Sequence, residues 1–165
     1  MPTIELKTKI INAPVEHCFF LSLSVDLHKI SAGETKEEAI AGVTSGLMQL
    51  NDEVTWRARH FGIYQNMTSK ITAYQAPEYF VSEMVKGSFK KLHHQHVFEW
   101  TGRETIMTDI FYFEAPLGVL GKLFSKLVLK RYMQHFLVKR NSVIKEAAET
   151  SKWQTLLPSL PPKNP

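Results

Sequence analysis

The chain of 165 residues carries one cysteine, 44% hydrophobic and 22% charged residues and a formal charge of +4, the composition of an ordinary globular chain rather than a disordered or fibrous one. Its length favours one domain with a real core, while a lone cysteine excludes an internal disulfide and fits a reducing compartment. No apolar run reaches the ~18 residues of a membrane-spanning helix and Met1-Pro2-Thr3 leads into no basic-then-apolar leader, so the expectation is a soluble cytoplasmic protein.

Ile4, Leu6, Thr8 and Ile10 alternate with Thr3, Glu5, Lys7 and Lys9, the period of a half-buried strand. Asn12-Ala13-Pro14 ends it, with Pro14 suited to the first position of a short helix capped by Asn12 or Ala13. Val15, Cys18 and Phe19 recur at helical spacing to about Leu23, which makes Cys18 inert packing, and Ser24 caps a second short helix through Ile30. Strands are then predicted over Thr35–Ala41, Glu53–Phe61, Thr68–Tyr74, Tyr79–Lys86, Phe89–Trp100 and Thr105–Phe113. Turns at Ala76-Pro77, Gly87-Ser88 and Gly102-Arg103 are too short for parallel crossovers, so the middle of the chain is an antiparallel meander.

After Ala115-Pro116 the pattern is helical from Leu117 to about Thr150. Val119, Leu120, Leu123, Phe124 and Leu127 form one apolar stripe. Tyr132, Met133, Phe136, Leu137, Val143, Ile144, Ala147 and Ala148 form another, rotated by roughly half a turn at ~100° per residue. One straight helix on one sheet does not do this, so a break is predicted near Leu129–Arg131. The first segment then serves as a flap, loosened by Gly118 and Gly121, and the second packs on the sheet. Lys122, Lys126, Lys130, Arg131, Lys139, Arg140 and Lys145 follow Ala115 without an intervening acid, and read as a solvated helix face. The domain is placed at 1–150 and an extended or disordered tail at 151–165, where prolines concentrate from Pro158 onward.

The order of one strand, two short helices, six antiparallel strands and a long helix is an α+β grammar in which the terminal helix must cover the sheet. At this point the sequence resembles the helix-grip superfamily of START domains, birch-pollen-allergen-like proteins and polyketide cyclases. It is similar to an uncharacterised bacterial ligand-binding subgroup sometimes named cell division inhibitor-like. The stretches that carry the resemblance are Ile10-Ile11-Asn12-Ala13-Pro14 and Val54-Thr55-Trp56-Arg57-Ala58-Arg59-His60-Phe61-Gly62. Others are Glu83-Met84 through Gly87-Ser88-Phe89, His94-Gln95-His96-Val97-Phe98, Met107-Thr108-Asp109 and Pro116-Leu117-Gly118. The resemblance implies a curved sheet of about seven strands around the C-terminal helix, enclosing a hydrophobic ligand cavity. It leaves activity open, because such a fold hosts carriers, receptors and enzymes alike.

Hairpin arithmetic points to a site. A two-residue turn at Gly102-Arg103 sets Trp100 opposite Thr105, Phe98 opposite Met107, His96 opposite Asp109 and His94 opposite Phe111. The same turn at Gly87-Ser88 sets Glu83 opposite Leu92 and Val81 opposite His94. One inward face then collects Val81, Leu92, Phe98, Trp100, Met107, Phe111 and Phe113 with Glu83, His94, His96 and Asp109, while Ser82, His93 and Gln95 face out. A one-residue slip would reverse each assignment. Trp56 points inward on its strand, His60 reaches the rim, and Leu120 and Phe124 on the flap close the cavity.

Three uses of the embedded polar groups stay open: anchoring the polar end of a ligand, satisfying one another in a core, or moving a proton in a cyclase- or dehydratase-type reaction through His96 and Asp109. The preferred reading is a carrier or sensor of a small, mainly hydrophobic molecule rather than an enzyme. No cofactor is expected, and His94-x-His96 without a third ligand pattern assigns no metal. Nucleic-acid motifs are absent, so no specific nucleic acid is expected; the basic helix leaves a weak contact with an anionic membrane as a third reading. Oligomeric state is not fixed by the sequence.

Overall fold

The computed structural model describes residues 2–116 and 118–157. The opening strand β1 (Thr3–Ile11) is followed by α1 (Val15–Ser22), α2 (Val25–Ser31) and a single 3-10 turn at Gly33–Thr35. Six strands follow: β2 (Glu38–Gly42), β3 (Glu53–His60), β4 (Ile63–Gln75), β5 (Tyr79–Lys86), β6 (Lys91–Trp100) and β7 (Glu104–Glu114). The C-terminal region is α3 (Gly118–Phe124), a π-helical segment at Ser125–Leu129, α4 (Lys130–Glu149) and α5 (Lys152–Leu156). The strands form one antiparallel sheet in the order β1-β7-β6-β5-β4-β3-β2, which is the expected meander with β1 returned to its far edge.

Local chemistry explains most boundaries. Ser24 caps α2, its hydroxyl accepting from the Leu27 amide at 3.2 Å. At α1 the expectation is corrected: Pro14 is itself the cap in an extended conformation, and among the described residues no side chain makes a capping hydrogen bond there. The β3–β4 hairpin turns on Phe61 and Gly62, both at positive φ, so β4 starts at Ile63, earlier than the predicted Thr68. Phe61 holds a conformation that glycine adopts more easily, and its ring lies 4.8 Å from that of Tyr132.

The break expected near Leu129–Arg131 is corrected: the terminal helix runs on from α3 into α4 without interruption, and the π segment at Ser125–Leu129, just before that point, shifts its apolar face instead. Below it, α4 packs on β1, α1 and α2. Its end is moored to β1, with Lys145 Nζ donating to the Lys9 carbonyl at 2.6 Å and the Ile11 amide donating to Glu149 at 2.8 Å. Above it, Val119 and Leu120 are 82% and 77% exposed. The tail expectation is corrected for its first part: residues 152–156 are helical, Trp153 lies against His17 at 4.1 Å, and Leu157 is buried. Leu117, the expected helix start, and 158–165, the remaining tail, lie outside the described residues.

The interior divides into two apolar clusters. One contains Ile10, Phe19, Phe98, Met107 and Ile144, the other Ile4, Leu92, Phe111 and Leu137. On each element that crosses both, the residues between are polar: His94 and His96 on β6, Asp109 on β7, Arg140 and Asn141 on α4. Strand period two and helix period 3.6 bring these positions onto the same inner faces, so a polar belt crosses the core.

Candidate functional site

The β6–β7 register is as the Gly102-Arg103 turn predicts, with His96 opposite Asp109 and Phe98 opposite Met107. Trp100, expected inward, is about half exposed at the strand end. The β5–β6 register is corrected by one residue: Ser82 pairs with His94, Val81 with Gln95 and Glu83 with His93. Gly87-Ser88 do not close a two-residue turn, because residues 87–90 all lie between the strands and Ser88 and Phe89 fold over toward the interior. The slip turns Ser82 inward and Glu83 outward. Glu83 there accepts from His93 Nδ1 at 2.9 Å, a bond that lowers its pKa.

Asp109 is fully buried at the centre of the belt. His94 Nε2 lies 2.7 Å from its Oδ1, Asn141 Nδ2 donates to its Oδ2 at 2.5 Å, and Arg140 Nη1 stands 3.4 Å from Oδ1. Arg140 also donates to Asn141 Oδ1 and to the Ser22 carbonyl, and Asn141 donates to Thr8. Arg140 is therefore a correction to the solvated basic face: it is the buried counter-charge of Asp109. His96 is the residue directly across from Asp109, yet its Nδ1 at 3.2 Å makes no aligned hydrogen bond. Its ring is stacked on Phe80 at 4.1 Å and lies tilted by 35° against His94 at 3.7 Å. The imidazole that Asp109 orients is thus that of His94, reached diagonally, rather than that of His96.

Burial alone would raise the Asp109 pKa, but the His94 hydrogen bond and the neighbouring His96 hold it well below the ordinary carboxylate value. Burial pushes both histidines down, with Asp109 opposing only in part. A neutral His94 facing an ionised Asp109 must place its proton on Nε2, which leaves Nδ1 as a lone-pair acceptor. Ligand atoms of His94, His96 and Asp109 lie within 4.8 Å of one another. A fixed guanidinium and an amide already occupy that carboxylate, so the set does not suit a cation and no metal is assigned to it.

Beside the belt lies a cavity of about 500 Å³ between the sheet, α2, α3 and α4, within the usual ~300–1,000 Å³ range of small-molecule sites. Among the expected residues Trp56, His60, Leu92 and His94 line it, as do His96, Phe111, Leu120 and Phe124. Phe98 and Met107 are instead sealed in the core; Phe98 packs on Phe19, and Met107 has no exposed surface. Asp109 stands behind His94 rather than on the wall. Sequence reasoning missed His28, Glu37, Arg140 and the inner role of Ser82. His28 rests on Trp56 at 4.3 Å with Nε2 3.2 Å from Glu37 Oε1, and His60 Nδ1 meets the Tyr132 hydroxyl at 2.7 Å. At the mouth, Phe61 on the β3–β4 tip meets Phe124 on α3 at 6.0 Å.

No protein-family model and no curated protein matches the sequence. Solved structures do. The chain superposes on a protein of Thermus thermophilus with TM-score 0.68 at 17% identity, covering 89% of this chain and 99% of that one. It is similar to the Zhui aromatase/cyclase of a Streptomyces species (TM-score 0.67, 13% identity, 90% and 93% covered). It is also similar to a START superfamily protein of Mycobacterium smegmatis (0.65, 11%, 89% and 97%). At such identities the likeness establishes the helix-grip fold.

Proposed function

We propose that the protein binds a small, mainly apolar molecule in the cavity between its sheet and C-terminal helices, as a carrier or sensor. The observation that supports this most is the cavity itself, whose walls are largely aromatic and aliphatic with a few buried polar groups set among them. Each Å² of ligand apolar surface withdrawn from water contributes ~25 cal/mol, so a polycyclic hydrocarbon is a sufficient first probe. The wild type is expected to bind 2-methylanthracene with a blue-shifted, enhanced probe emission. Ser82→Trp fills the cavity from β5 and should weaken binding at least about tenfold, ~1.4 kcal/mol, with little change in the thermal midpoint. Absence of probe binding by a folded wild type, or full binding by Ser82→Trp, contradicts the reading.

A second reading concerns where the cargo is exchanged. The exposed Val119, Leu120, Leu123 and Leu127 lie on the segment that carries exposed Lys122 and Lys126, beside exposed Phe61, Ile63 and Tyr64 on the hairpin tip. An apolar patch ringed by lysines repels a second copy of itself and complements an anionic bilayer. Each lysine near such a surface contributes about 1 kcal/mol. Pelleting with phosphatidylglycerol-containing vesicles should occur at low salt, weaken at high salt, and vanish in Lys122→Glu/Lys126→Glu/Lys130→Glu. Equal pelleting of the triple variant, or none by the wild type, rejects docking and leaves the cavity reading untouched.

A further inference from the structure

One cavity wall carries polar chemistry separate from the belt around Asp109. His28, Glu37, His60 and Tyr132 all line the cavity. Two contacts use most of their capacity: His28 Nε2 with Glu37 Oε1, and His60 Nδ1 with the Tyr132 hydroxyl. Glu37 Oε2 is left with no hydrogen-bond partner among the described residues, although the Glu37 side chain is only 6% exposed. Its surroundings are aromatic, since the His28 ring that it binds lies against Trp56 and 6.2 Å from Phe136. A carboxylate oxygen withheld from water without a donor is costly, and folded proteins rarely leave one so. The negative charge of Glu37 also acts on His60 and Tyr132, opposing the burial-driven fall of the one pKa and adding to the burial-driven rise of the other. The field at this wall therefore favours a proton donor over an acceptor.

We infer that Glu37 Oε2 anchors a hydrogen-bond donor, an O–H or N–H group, carried on the otherwise apolar molecule that occupies the cavity. The inference rests on the cavity reading above and adds to it the chemical class of the ligand: a hydroxylated or aminated ring system or chain rather than a plain hydrocarbon or an anion. A wall built around an unmet acceptor discriminates strongly, because an isostere lacking the donor leaves the oxygen stranded. Hydrogen bonds to charged groups correspond to a preference between about tenfold and a hundredfold.

Three isosteric probes test this by fluorescence titration: 2-methylanthracene without a donor, 2-hydroxyanthracene with O–H, and 2-aminoanthracene with N–H. The wild type should bind one or both donor probes at least about tenfold more tightly than the methyl probe, and which of the two is preferred separates hydroxyl from amine cargo. Glu37→Leu should erase that preference, with an unchanged circular-dichroism spectrum reporting an intact fold. Should Glu37→Leu fail to fold, the ranking of the three probes by the wild type decides alone. Equal affinities in the wild type, as when a resident water already serves Oε2, overturn the donor inference and leave the cavity reading standing. A preference unchanged in folded Glu37→Leu overturns it too. If none of the three probes binds the folded wild type, both fall together.

Discussion

Asp109 shows how one buried side chain sets the behaviour of its neighbours. In the unfolded chain His94 and His96 take up protons as the pH falls through about 6.5, whereas burial keeps them neutral in the folded state. The folded state is then progressively penalised below that value. Asp109 acts at lower pH, since its folded pKa lies well below the ordinary 3.8 and its contribution is lost as the pH falls from there through the folded value. Denaturant midpoints measured from pH 8 to pH 4 should therefore decline below about 6.5. His96→Phe, which keeps a ring against Phe80, should flatten that decline, and an unchanged slope would show that His96 does not carry it. Asp109→Asn should cost about 3–5 kcal/mol, because it strands Arg140 in the interior. His94, His96 and Asp109 were legible because strand alternation puts them on the face of Leu92, Phe98 and Phe111. Arg140 was not, since a helical arginine beside Lys139 reads as solvated until an acid on another element claims it. Glu37 was hidden for a related reason: in the predicted strand Thr35–Ala41 it sits between Lys36 and Glu38, where no apolar alternation assigns it a face.

Among the elements, the change of apolar face along the C-terminal helix was the easiest to anticipate and β5 the hardest. A stripe that rotates between Leu127 and Tyr132 requires a reset of the helix face, and the π segment supplies it. The β5 phase depended on the length of one connection, where Gly87-Ser88 imitates a two-residue hairpin. A Cβ on Gly87 would meet Met84 Sδ at 2.7 Å, so the methionine side chain would have to shift, a contact that no local pattern reveals. The flap has its own glycine constraint. A Cβ on Gly121 would stand 1.8 Å from the Pro116 carbonyl oxygen, so Gly121→Ala must lift α3 from the Ala115-Pro116 turn that lines the cavity mouth. Release of 2-methylanthracene, measured by stopped-flow dilution, should quicken severalfold in Gly121→Ala while the thermal midpoint barely moves. Unchanged release would mean that the flap does not govern exit.

For the whole molecule, the order of elements carried the architecture: a meander with one long helix has few ways to bury its apolar face. What it could not specify was the empty space, because volume depends on how curvature and side-chain size combine across β3, β4, β5 and α4 at once. The terminal helix is moored to β1 at its foot and exposed at its head, with the π segment between. Durability and permeability consequently reside in different halves of a single rod. Variation above the π segment can retune which guests are admitted, and how quickly they leave, without shortening the folded lifetime of the sheet below.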